Sequence, residues 1–184
     1  QAAGLAIGAG ADPERVFDAL PEMRTVRGRM QLAARRENGA AVFVDYAHTP
    51  DAVATALKAM RPHVMGRLFA IVGAGGDRDR GKRPLMGQAA AEFADRVIVT
   101  DDNPRTEDAA RIRAAVIQGC PGAQEVGDRA EAILRAVDAL GPGDALLICG
   151  KGHETGQIVG DDVLPFDDAE QASFAVSVLD RGRV

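Results

Sequence analysis

Residues 41–51 read Ala41-Val42-Phe43-Val44-Asp45-Tyr46-Ala47-His48-Thr49-Pro50-Asp51. The first four are β-branched, aromatic or small and apolar, so they predict a strand. Asp51 onward is helical, with Val53, Leu57 and Met60 spaced to share one face. Between the two lies a polar turn. The same phrase of apolar run, polar turn and amphipathic helix recurs downstream. A run over 68–72 leads to a helix over 84–93 that opens on Pro84. A run over 97–99 leads to a helix over 107–117, for which Thr106 is the expected N-cap. Residues 124–126 read as a short edge strand. Asp128 caps a helix to Leu140 with Ile133, Leu134 and Val137 facing inward, and a buried strand follows over 145–149. Two short runs around Gly160-Asp161-Asp162 read as a β-hairpin, and a helix over 168–179 closes the chain. Continuous apolar strands separated by amphipathic helices predict an α/β fold: a Rossmann-like, doubly wound, mostly parallel sheet with helices on both faces.

Upstream the pattern differs. A small-residue helix over 1–8 is followed by a second helix with Asp12 as N-cap and Pro13 at its first position. Val16, Phe17 and Leu20 give that helix an apolar stripe, and Pro21 ends it. About thirty residues of helix and loop cannot bury a core of their own. The expectation is that 1–30 is the remnant of a preceding domain and 31–184 the α/β domain. A helical cap on a single domain is the alternative.

Composition narrows the function. The 184 residues are 46% hydrophobic and 27% charged, with a formal net charge of −5. An acidic chain lacks the basic surface that nucleic-acid binding needs. With no Trp and one Tyr, it also lacks an aromatic platform for single strands. No apolar run approaches the ~20 residues of a membrane-spanning helix, and the first ten residues carry no basic segment of a signal peptide. Two cysteines, Cys120 and Cys149, make no disulfide framework and fit a reducing cytoplasm.

The residues that carry chemistry follow the four apolar strands directly. They form the clusters 45–50, 75–84, 100–105 and 150–155. In a parallel sheet the strand ends that lead into helices share one edge, and ligands bind in the crevice along it. Four segments distant in sequence are therefore expected to converge on one site. Asp45, at a strand end, stands where a ribose hydroxyl is commonly gripped. His48 has no second His or Cys at metal spacing, so a metal centre is not expected. In the second cluster Gly76-x-x-x-x-Gly81-Lys82 imitates a P-loop, but Arg83 stands where Ser or Thr would ligate magnesium. Gly73-x-Gly75 also lacks the third glycine of a dinucleotide fingerprint, which argues against a dehydrogenase. What remains is a loop displaying Arg78, Arg80, Lys82 and Arg83. Arg78 suits a carboxylate, whereas Arg80 and Lys82 read as surface charge or as ion pairs with Asp77 and Asp79. In the third cluster Asp101 and Asp102 suit an ammonium, Asn103 offers donor and acceptor, and Arg105 supplies a cation. In the fourth, Gly150 and Gly152 permit close backbone approach, Glu154 suits an amine, and His153 is a structural hydrogen bonder or a proton carrier. A pocket holding both signs suits a zwitterion such as an amino acid. Residues 26–30, with Arg29, lie where an interdomain ligand would sit. No Ser-His-Asp or Cys-His nucleophile set is present.

Taken together, Gly28-Arg29-Met30, Asp45-Tyr46-Ala47-His48-Thr49-Pro50-Asp51, Gly75-Gly76-Asp77-Arg78, Lys82-Arg83-Pro84, Asp102-Asn103-Pro104-Arg105 and Gly150-Lys151-Gly152-His153-Glu154 resemble the Mur ligases. Within that family the blocks look like the diaminopimelate-adding, MurE type, and the resemblance covers essentially the whole chain. It implies a cytoplasmic enzyme of peptidoglycan precursor synthesis. Such an enzyme uses ATP and Mg2+ to activate the carboxylate of UDP-MurNAc-L-Ala-D-Glu as an acyl phosphate, which the amine of meso-diaminopimelate then attacks. By the same resemblance Arg29, Asp45 and His48 contact ATP, and Arg78, Asp102, Asn103, Arg105, Gly150 and Glu154 hold diaminopimelate. The glycine-rich ATP loop, the magnesium ligands and the UDP-substrate domain would precede Gln1. No catalytic residue is therefore expected in the chain, and none of its residues is expected to ligate a metal. The chain alone is expected to be inactive. The alternatives are a lysine-adding or folylpolyglutamate synthase-like ligase of the same superfamily, or a non-catalytic nucleotide- or amino-acid-binding module.

Overall fold

A computed structural model describes residues 2–22 and 25–182. Two short helices, α1 (Ala2–Gly8) and α2 (Pro13–Asp18), lead into a 3-10 turn at Leu20–Glu22. As expected, Asp12 caps α2 by accepting from the Glu14 amide, and Pro13 sits in its first turn. Neither helix has a buried residue. The expected stripe is mostly uncovered among the described residues: Phe17 is 57% and Leu20 43% exposed, with Val16 partly buried. The expected Gln1 lies outside the described residues.

The remaining elements are β1 (Gln31–Arg35), β2 (Ala41–Asp45), α3 (Pro50–Met60), β3 (Leu68–Val72), α4 (Lys82–Phe93), β4 (Arg96–Val99), α5 (Ala109–Ile117), β5 (Gln124–Glu125), α6 (Arg129–Asp138), β6 (Ala145–Cys149), the hairpin β7 (Gly156–Val159) and β8 (Asp162–Pro165), and α7 (Asp168–Arg181). The six-stranded sheet has the order β1-β2-β6-β3-β4-β5. All neighbours run parallel except β1, which is antiparallel to β2. The strand reading missed β1, because Gln31-Leu32-Ala33-Ala34-Arg35 has neither β-branched residues nor alternation. Tertiary pairing makes it a strand, an override that β-propensity permits.

The central strands β3 and β6 are buried at every position, as continuous apolar runs in a two-sided sheet must be. Their alternate residues feed two cores. Leu68, Ala70, Val72 and Leu147 meet Val53 and Leu57 of α3, Met86 of α4 and Val116 of α5. Phe69, Ile71, Leu146 and Ile148 meet Ile133 and Val137 of α6 and Ala172 and Val176 of α7. The order matters for function. The chain passes from β2 to β3 and returns later to lay β6 between them. That reversal is where a crevice opens at the carboxyl ends of the strands.

Three helix details differ from expectation. Leu134 is 40% exposed, on the outer side of α6. Helix α4 starts two residues before Pro84, with Gly81 at its N-cap. Helix α5 is capped by Asp108, which accepts from the Ala110 and Arg111 amides, because Thr106 is taken by Asp77 and Glu107 by Arg83. Among the described residues no helix is long and apolar enough to cross a membrane.

Candidate functional site

The four polar clusters meet at the carboxyl edge of the sheet, as expected. They enclose a cavity of about 360 Å³ whose lining includes His48, Arg78, Lys82, Asp102, Asn103, Arg105, Gly150 and Glu154. Seven of the nine sequence-named site residues, all but Arg29 and Asp45, thus share one concavity. A second cavity of about 450 Å³ opens at the opposite edge, between Phe69, Val97, Pro121 and Arg96. None of the four clusters reaches it.

The cavity has a basic side. Arg78 is exposed on its loop, where its Nη1 donates to the Asp77 carbonyl. Lys82 donates from Nζ to the His48 carbonyl at 2.9 Å. It lines the cavity and does not pair with Asp77 or Asp79 as expected. Arg80 pairs with Glu107. Arg83, expected on display, is 4% exposed and holds Glu107 at 2.8 Å. That contact, reinforced by the Asp77 amide, lowers the Glu107 carboxyl to about 2. Arg105 lies in the left-handed region at φ 52, uncommon for a side chain of its size. Both of its backbone groups are held by the hairpin: its amide donates to the Ile158 carbonyl at 3.0 Å, and its carbonyl accepts from the Gly160 amide at 2.8 Å. Its Nη1 donates to the Gly76 carbonyl at 2.9 Å. Strain fixed by its surroundings in this way accompanies a side chain that has to be aimed.

The acidic side is more closely knit. Asn103 is buried and donates from Nδ2 to Glu154 at 3.0 Å. Its Oδ1 accepts from the Ile158 amide and from Lys151 Nζ at 2.7 Å. Lys151 is fully buried. Its Nζ also donates to the Gly156 carbonyl and lies 3.7 Å from Asp102 and 3.8 Å from Glu154. Burial pushes this ammonium below the usual lysine range, Asp102 and Glu154 oppose the shift, and Arg129 adds to it. The sequence showed Lys151 only as a member of the block 150–154, with no role of its own. Gly150 has φ +118, and a Cβ on it would stand 2.5 Å from Asp102 Oδ2. Asp101 is not available for an ammonium as expected, because it is paired to Arg113 outside the cavity.

Beside the cavity lie the remaining named residues. The Arg29 guanidinium sits 4.8 Å above the Tyr46 ring, and that ring is 4.6 Å from His48 and 5.0 Å from His153. His48 Nδ1 bonds the Tyr46 carbonyl at 2.8 Å. Asp45 is drawn inward: its oxygens accept from the Met30 and Ala47 amides at 2.7 and 2.8 Å. It thus ties the segment before β1 to the turn after β2. Gly28 completes that tie, since a Cβ there would lie 2.1 Å from the His153 amide nitrogen. Among the described residues no group of three or more His, Cys, Asp or Glu is placed to hold a metal ion.

The family described as Mur ligase, glutamate ligase domain, matches residues 28–152, a span that holds the first three loops and the start of the fourth.

This chain belongs to the Mur ligase family.

It is 57% identical over 175 residues to the UDP-N-acetylmuramoyl-L-alanyl-D-glutamate–2,6-diaminopimelate ligase of Bradyrhizobium diazoefficiens, covering 95% of this chain and 36% of that protein. It is 54% identical over 179 residues to the ligase of the same name from Caulobacter vibrioides, covering 97% and 37%. A solved ligase of that name superposes with a TM-score of 0.78 at 42% identity, over 100% of this chain and 37% of the other. The UDP-N-acetylmuramate-alanine ligase of Thermotoga maritima, at 19% identity and a TM-score of 0.65, shares the fold. This Mur ligase domain therefore spans a little over a third of the curated relatives it matches.

Proposed function

We propose that the chain is the C-terminal, amino-acid-binding part of an ATP-dependent ligase. That ligase joins meso-diaminopimelate to UDP-MurNAc-L-Ala-D-Glu through an acyl phosphate, in the cytoplasm. The observation that carries the reading is the single cavity that Arg78 and Arg105 share with Asp102 and Glu154. The names of the relatives at 57% and 54% identity support it. Diaminopimelate has an ammonium and a carboxylate at each end, so it matches a pocket built of both signs. Arg78 and Arg105 receive a carboxylate, bidentately where the fork is free. Asp102 and Glu154, with Gly150 leaving room beside them, receive an ammonium, and Asn103 orients Glu154.

Residues 1–30 belong on this reading to the end of the ATPase domain, and residues 31–184 form the amino-acid domain. Arg29, Tyr46 and His48 fit a nucleotide: a guanidinium for phosphate and aromatic faces for a base. Asp45 holds the segment that presents Arg29. Bound ATP supplies the phosphoryl group that activates the carboxylate. The described residues offer no cluster fitted to magnesium. The domain's own contribution is to hold an amine in position for attack, a gain of orientation.

Calorimetry tests the reading. Titration of meso-diaminopimelate into the chain gives saturable heat, which Arg105→Ala abolishes or weakens at least tenfold. Heat with nucleotide alone returns the chain to a nucleotide-binding module. Selective heat with glutamate points to the folylpolyglutamate synthase-like alternative. The sequence has no Gly-Lys-Ser/Thr loop to hold the phosphates. The 184 residues supplied with ATP, diaminopimelate and UDP-MurNAc-L-Ala-D-Glu are accordingly expected to form no product, and product formation would sink that part of the proposal.

A further inference from the structure

The acidic side of the cavity holds a charge to which the proposed binding roles give no part. Lys151 does not line the cavity. It stands behind the lining, fully buried, with its Nζ bonded to Asn103 Oδ1 at 2.7 Å and to the Gly156 carbonyl at 2.8 Å. Asp102 and Glu154, the two carboxylates that line the cavity, lie 3.7 and 3.8 Å from it. A lysine is almost never fully buried without a reason. An unpaired charge there is costly, and so is removal of its partner.

We infer that Lys151 is a specificity-determining residue: a buried counter-cation that cancels one of the two carboxylate charges at the acidic end and so selects a net-neutral amino acid over a basic one. The inference rests on the proposed binding of diaminopimelate and deepens it. With Lys151 in place, Asp102 and Glu154 present one net negative charge to the ligand. That balances one ammonium and tolerates the carboxylate beside it. Without Lys151 the same end presents two negative charges. The distal carboxylate of diaminopimelate is then repelled, while L-lysine, which has an ammonium and no carboxylate at that end, is not. Discrimination by a misplaced like charge is a general route to specificity. The geometry also explains the choice of Asn at position 103. One amide accepts from Lys151 and donates to Glu154, so it holds both charges in register without adding a third.

The test compares meso-diaminopimelate with L-lysine by calorimetry, using competition where binding is weak, on the wild-type chain and on Lys151→Met. The expected result is that the ratio of diaminopimelate to lysine affinity falls at least tenfold in Lys151→Met. Loss of local structure alone would weaken both ligands by the same factor and leave the ratio unchanged, and that outcome overturns the inference. Full retention of both affinities overturns it too. A wild-type chain giving no heat with diaminopimelate defeats the functional reading instead, and the inference with it. Two further measurements decide the matter if Lys151→Met does not fold. The Lys151 Nζ of the wild type, observed by 15N NMR at pH 7.5, is expected to be an ammonium, and an amine signal overturns the proposal. Glu154→Gln, made on a half-exposed side chain, is expected to shift the ratio the opposite way, against lysine. An unchanged ratio there shows that charge at this end does not set selectivity.

Discussion

At the scale of single residues the site depends on side chains that are aimed and on backbone that leaves them room. Arg105 is held at a positive φ by the hairpin on both of its backbone groups. Gly150 is the converse case. At φ +118 an alanine is strained by about 1–3 kcal/mol, and its Cβ would push Asp102 Oδ2 from a distance of 2.5 Å. Asp102 also neighbours Lys151, so the disturbance spreads through the acidic end. Gly150→Ala is therefore expected to lower the melting temperature and to weaken diaminopimelate binding at least tenfold, read by thermal melts and calorimetry on the same preparation. A variant that melts lower yet binds as the wild type does would show that Asp102 can move without consequence. Lys151 shows why this level is the hardest to read from sequence. Besides the local Gly156 carbonyl and Glu154, its Nζ is held by Asn103, 48 positions upstream, and no local pattern announces a partner at that distance.

At the scale of elements, legibility follows burial. The strands β2, β3, β4 and β6 were readable because a two-sided sheet demands unbroken apolar runs, which Leu68–Val72 and Ala145–Cys149 supply. The hairpin turn was readable from Gly160-Asp161-Asp162 between two short runs, but not its task, which is to clamp Arg105 in a third loop. β1 was invisible because its pairing with β2 is the whole reason for its conformation. The start of α5 was misplaced for a chemical reason. Thr106 and Glu107 are good residues to open a helix, yet both are recruited across the loops by Asp77 and Arg83, which leaves the cap to Asp108.

That recruitment has a pH signature. The Glu107 carboxyl is lowered from 4.5 to about 2, first by its bond to Arg83 and then by the Asp77 amide. A carboxyl depressed in the folded state stabilises above its unfolded value, and the contribution is lost as pH falls through the folded one. Below that point the buried Arg83 guanidinium faces a neutral acid. Its Nε already has no hydrogen-bond partner among the described residues. Glu107→Gln is accordingly expected to lower the melting temperature at pH 7, with the gap to wild type closing as the pH falls from about 4.5 towards 2. A gap that stays constant over that range in a series of melts would show that the ion pair contributes nothing to stability.

At the scale of the molecule the question is what holds four separate loops to one edge. Part of the answer lies beneath them, where Arg129 and Asp168 form an ion pair with both side chains fully buried at 2.7 Å. Burial works against the guanidinium charge, and Asp168 more than reverses the effect, so Arg129 titrates above its usual range. The remaining donors of Arg129 reach the carbonyls of Cys149 at 2.9 Å and Asp101 at 3.3 Å. Those carbonyls stand where β6 and β4 give way to two of the site loops. One side chain therefore links the starts of α6 and α7 to both halves of the cavity's acidic end. A buried pair of this kind adds little net stability over an apolar replacement, but removal of one partner costs about 3–5 kcal/mol because the other charge is stranded. Urea unfolding is expected to show Arg129→Met destabilised by that amount, and Arg129→Met combined with Asp168→Leu recovering much of it. The two variants separate stability from function. The double variant regains a stable core but not the hydrogen bonds to Cys149 and Asp101, so its diaminopimelate affinity is expected to stay well below wild type. Wild-type affinity in a stable double variant would mean that the loops are placed by the sheet alone and that the ion pair beneath them serves only the packing of α6 on α7.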